Sequence, residues 1–179
     1  MMILAMAVML QADAHELQNN RLTVILHEQH SVELVFRLDF AGLLQHAMAP
    51  QSSPQEFLVA VAAQPPEKIA PALAALQQQV EKGLMLKSRG AVLAVQHWRW
   101  PSAVMVQAVL REQLMANMVA TAESSSASAL EVHADASDVL SIERVTLSLP
   151  EVIKPAVVVW YKTRQGVITT QSAEQTLEF

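Results

Sequence analysis

The chain has no cysteine. That excludes disulfides, thiolate zinc sites and a cysteine nucleophile, but leaves the compartment open, because a domain of this size can fold without covalent staples. Glycine is scarce as well, at four residues in 179, and no glycine-rich loop precedes a helix to cradle nucleotide phosphates through its backbone. Charged residues make up only 16% of the chain and sum to −5. With no basic stripe among them, the electrostatic footprint of a nucleic-acid or acidic-membrane binder is missing. No apolar run approaches the roughly 20 residues that a membrane-spanning helix needs. The G-x-S-x-G elbow and the H-E-x-x-H helix are both missing, and Ser, His and Asp residues scattered along a sequence do not make a triad. The expectation is a protein without catalysis of its own.

What the chain does have is apolar mass, 52% of its residues, enough to fill one core in a single domain. Residues 1–14, MMILAMAVMLQADA, read as a processing segment. Ile3 to Leu10 is an apolar run of signal length, and Ala12-Asp13-Ala14 places small residues where a signal peptidase checks them, although no Lys or Arg precedes the run. Cleavage there leaves residues 15–179 as the mature domain in the periplasm or outside the cell, with His15 at its N-terminus.

From His15 the pattern is that of a β-hairpin. Leu22, Val24 and Leu26 alternate with polar neighbours, as do Val32, Leu34, Phe36, Leu38 and Phe40, with Glu28-Gln29-His30 as the turn. Helical spacing follows. Ala41 to Ala49 makes a short turn of helix, Ser53 caps a helix starting at Pro54, and Ile69, Leu73, Leu76 and Val80 form the stripe of another. Pro71 conflicts with a start at Pro66 and fits a start near Ala70. Strand character returns at Leu84 to Lys87 and Ala91 to Trp100, which pair across Ser88-Arg89-Gly90. Next comes a helix over 103–119 with Val106, Leu110, Leu114 and Met118 in one stack. Thr121 to Ser128 is a low-complexity surface loop.

The last third is β again. Leu130, Val132 and Ala134 alternate with Glu131, His133 and Asp135, and Val145, Leu147 and Leu149 form a strand whose phase slips at Ile142-Glu143-Arg144. Ala156 to Tyr161 is apolar on both faces and is expected to be a central, doubly covered strand, followed by a weaker edge strand at Val167 to Thr170. The element order predicts an α+β fold, an antiparallel sheet of hairpins with inserted helices. Leu34, Phe36, Leu147, Val158 and Trp160 are expected in the core.

The opening AHELQNNRLTVIL after a secretory-type signal, the helix begun by Pro65-Pro66, the HWRWP strand end and the VVVWYKTRQ strand resemble a group of uncharacterised exported proteobacterial proteins. More distantly, the Ala-His start and the late strand are similar to the periplasmic region of hydrogenase/urease accessory proteins of the HupE/UreJ type. The resemblance implies an exported accessory role near a membrane or envelope partner.

Three candidate chemistries remain. A free N-terminal His15 can chelate copper or nickel through its amine and ring nitrogen if one more imidazole or carboxylate stands nearby. Glu131, His133 and Asp135 share a strand face at about 6 to 7 Å spacing, which suits a solvated stripe better than a cation site unless another strand contributes. The same applies to His27 and His30 beside the first turn. Trp98, Arg99 and Trp100 offer an aromatic platform, but paired tryptophans beside apolar strands usually belong to the core.

Overall fold

The computed structural model describes residues 20–27, 30–119, 130–138 and 142–163. The 1–14 segment, His15 and the strand expected at 167–170 lie outside the described residues. Strands β1 (Arg21–His27) and β2 (Ser31–Arg37) form the expected hairpin, with Leu22 opposite Phe36 and Val24 opposite Leu34. Because side chains alternate across a strand, Leu22, Val24, Val32, Leu34 and Phe36 all turn inward and are buried.

Local chemistry starts and stops the helices. The Oδ1 of Asp39 accepts from the Gly42 N–H at 3.0 Å and caps α1 (Phe40–Met48). Ser53 caps α2 (Pro54–Ala62), and Glu56 returns the bond to the Ser53 backbone in a capping box. α3 (Pro66–Gly83) starts at Pro66, not near Ala70, and holds Pro71 inside. Pro71 faces solvent one turn from the helix start, so the single backbone bond it removes lies where water can replace it. The expected stripe of Ile69, Leu73, Leu76 and Val80 is buried.

β3 (Met85–Ser88) and β4 (Ala91–Leu93) close on Arg89 and Gly90, whose positive φ angles of 51° and 84° make a two-residue hairpin turn. The strand expected to run from Ala91 to Trp100 is two strands in two sheets. After Ala94 the chain leaves β3 and continues as β5 (Val95–Arg99) in the larger sheet. A bulge between Gln96 and Arg99, with His97 at φ 52°, turns Trp98 toward Phe36.

In α4 (Ala103–Val119), Val106 and Leu110 are buried and Leu114 is half-buried, but Met118 is 68% exposed, so the expected stack of four holds only for its first three members. The helix is pinned near its start. The buried Gln107 donates to the Gln64 carbonyl, and Arg111 donates to that of Ala62 at 2.9 Å. Met115 to Met118 are exposed.

β6 (Glu131–Ser137) pairs with β2, β7 (Val145–Ser148) with β3, and β8 (Val157–Lys162) with β1. The result is an α+β single-domain fold with a five-stranded sheet, ordered β5-β6-β2-β1-β8, and a three-stranded sheet, β4-β3-β7. All pairings are antiparallel except β1 with β8, which is parallel. Among the described residues β8 has a neighbouring strand on one side only, β1, and not the central placement expected for 156–161. Trp160 is exposed, and Val158 and Leu147 are only half-buried, against the core positions expected of them. An apolar run of this length reads the same whether it is covered on both faces or borders an apolar hollow. Among the described residues, no helix is long and apolar enough to cross a membrane.

Candidate functional site

The outward face of the large sheet carries the polar residues singled out by their alternation. Glu131, His133 and Asp135 line β6 as expected, and β2 adds Glu33 beside them. Glu33 lies between two imidazoles, with Oε1 3.4 Å from His133 Nδ1 and Oε2 3.4 Å from His27 Nε2. His133 Nε2 is 3.5 Å from Glu131, Arg99 is 3.5 Å from Asp135, and Arg37 is 3.8 Å from Glu131. These contacts run in a chain across the strands and do not converge on a point. His27 and His133 stand two strands apart and use different oxygens of Glu33, so no group of three among the described residues could hold a metal ion. His30 is exposed in its turn at φ 64°, away from this chain of contacts.

The tryptophans of HWRWP do not form an open platform. Trp98 stacks on Phe36 at 5.8 Å and on Trp100 at 5.9 Å, while the Trp100 indole donates to Glu81 at 2.9 Å. Both rings pack against the core.

The open apolar surface is at the opposite edge. Among the described strands β8 is last in the five-stranded sheet and β7 last in the three-stranded one, and residues of both line the same hollow. Val24, Leu26, Val158 and Trp160 from one sheet and Val145 and Leu147 from the other line a groove of about 550 Å³. Glu143, Arg144 and Lys162 stand exposed beside it. Neither Arg144 nor Lys162 has an ion-pair partner among the described residues. Size and lining suit the binding of apolar groups. Sequence patterning missed this site because its walls come from three strands, with β1 far in the chain from β7 and β8. The one local signal was Trp160-Tyr161-Lys162, two aromatics and a cation closing an apolar run.

A second hollow of about 640 Å³ lies between α1, α3 and the 3-10 turn Glu151–Ile153. Of its polar groups, Asp39 caps α1, and Glu151 pairs with Lys154 at 3.0 Å. Comparison with protein-family models, curated proteins and solved structures finds no match to this chain.

Proposed function

We propose that this chain is an exported, non-catalytic binding protein of the cell envelope that holds an apolar ligand or partner in the groove between β7 and β8. The observation that carries the proposal is Trp160, a large aromatic left exposed over an apolar hollow. Aromatics at interfaces supply large contact area at low conformational cost, and exposed apolar surface of this kind marks binding sites. The export half rests on the signal-like segment 1–14, and the accessory role on the resemblance of the opening residues to periplasmic regions of the HupE/UreJ type.

Expression with the native N-terminus in a Gram-negative host, followed by fractionation and intact-mass analysis, tests export: a periplasmic chain beginning at His15 is expected, and a cytoplasmic chain retaining Met1 overturns it. For the groove, the purified protein is titrated with the apolar dye anilinonaphthalene sulfonate. Binding lost in Trp160→Ala and kept in Val92→Ala, another exposed apolar position, supports the site, and equal responses of all three proteins remove it.

A further inference from the structure

The groove offers backbone as well as side chains. In the parallel pairing of β8 with β1, the Val157 N–H donates to the Asn20 carbonyl at 2.9 Å and the Thr163 N–H to that of Leu26 at 2.9 Å. Alternation then points the amides of Val159 and Tyr161 toward β1 as well. The N–H and C=O groups of Val158, Trp160 and Lys162 point the other way, along the outer edge of the sheet, where no described strand meets them. These three residues also direct their side chains to the groove. Hydrogen-bonding edge and apolar wall thus fall on the same three positions.

A strand edge of this kind is a template for another extended chain. Laid antiparallel along β8, such a chain would bond to Val158, Trp160 and Lys162. Its residues opposite them would project every second side chain into the hollow, over Val145 and Leu147. The rim sets the charge. Arg144 and Lys162 against Glu143 leave one net positive charge beside the groove, with both cations unpaired among the described residues. Acidic residues flanking the apolar positions would complement it. We infer that the groove receives an extended segment of a partner polypeptide, apolar at alternate positions and flanked by carboxylates, as an added antiparallel strand on β8. This rests on the groove being the binding site proposed above, and it adds the class of partner and the mode of recognition.

The probe is a synthetic heptapeptide, acetylated and amidated, with valine at its second, fourth and sixth positions, threonine at the third and fifth, and glutamate at both ends. Titration into the full chain is expected to give saturable binding, weakened about tenfold or more by Trp160→Ala, as for a central aromatic anchor. N-methylation of the three valine amides should abolish binding, and N-methylation of the threonine amides should leave it, since only the valine amides face β8 in an antiparallel pairing. Lys162→Glu should shift preference to a peptide ending in lysines, and that rescue shows that the variant is folded. Hydrogen exchange at Val158, Trp160 and Lys162 should be fast in the free protein and slow in the complex. Binding indifferent to both methylations overturns strand addition, as does no peptide binding while the dye still binds in a Trp160-dependent way; either outcome leaves the groove as a site for apolar ligands. Loss of both dye and peptide binding removes the site itself. Slow exchange of the three amides in the free protein, at every concentration or rising with concentration, means that the chain itself or a second copy already holds the edge, and overturns the partner.

Discussion

Val24 and Trp160 are register partners on neighbouring parallel strands, yet Val24 is 8% exposed and Trp160 76%. Val24 has a strand on each side, β2 and β8, whereas Trp160 has only β1 among the described residues. The two side chains line the same groove, one as its floor and the other as its open wall.

Stability should follow this difference. Phe36 is fully buried and stacked on Trp98, so Phe36→Ala should lower unfolding stability by about 3 to 5 kcal/mol. Trp160→Ala should change it by no more than about 0.5 kcal/mol, the range of surface substitutions. Urea denaturation of both variants measures the contrast, and equal losses would mean that Trp160 is covered in solution.

Asn20 joins three elements. Its side chain donates to the Ile153 carbonyl at 3.2 Å and accepts from the Asp39 N–H at 3.0 Å, and only 7% of the residue is exposed. Asn20→Ala leaves both backbone groups without this partner, which should cost about 1 to 3 kcal/mol. The same denaturation assay reads it, and hydrogen exchange should show the Asp39 amide opening first.

Glycine at the end of α3 is fixed by space. A Cβ on Gly83 would stand 2.5 Å from Cβ of Pro150, a buried ring that cannot rotate aside. Gly83→Ala, which elsewhere in a helix would help, should here destabilise by about 1 to 3 kcal/mol, as overpacking does. A rise in melting temperature would contradict the contact.

The α2 capping box should show in the acid limb of stability. Hydrogen bonds to the Glu56 carboxylate, first from the Ser53 backbone and then from its side chain, hold its pKa below the usual carboxylate value. A folded pKa below the unfolded one gives stability that is complete above the unfolded value and is lost as pH falls through the folded one. Glu56→Gln should therefore flatten the decline between about pH 5 and pH 3. An unchanged pH profile would mean that the box does not persist in solution.

His15 supplies a separate test. No spacing in the sequence specifies a second ligand for it, so the processed protein should bind copper no more tightly than its His15→Ala variant in calorimetric titration. Sub-micromolar binding lost in the variant would favour the copper- or nickel-binding alternative.

The sequence by itself determined what depends on neighbours along the chain. The faces of β1 and β2 followed from strict alternation, the start of α2 from Ser53 before Pro54, the stripe of α3 from spacings of three and four, and the polar stripe of β6 from its period of two. Each of these is decided within a few residues by backbone geometry. Only the tertiary structure decided which strands lie beside one another. Nothing within Ala91 to Trp100 announces that β4 and β5 belong to different sheets, and nothing within Val157 to Lys162 says that β1 pairs with it in parallel. The groove depends entirely on such choices. Its walls are Val24 and Leu26, Val145 and Leu147, and Val158 and Trp160, brought together because β7 and β8, each last among the described strands of its sheet, border one hollow, a relation between distant segments that no local pattern encodes.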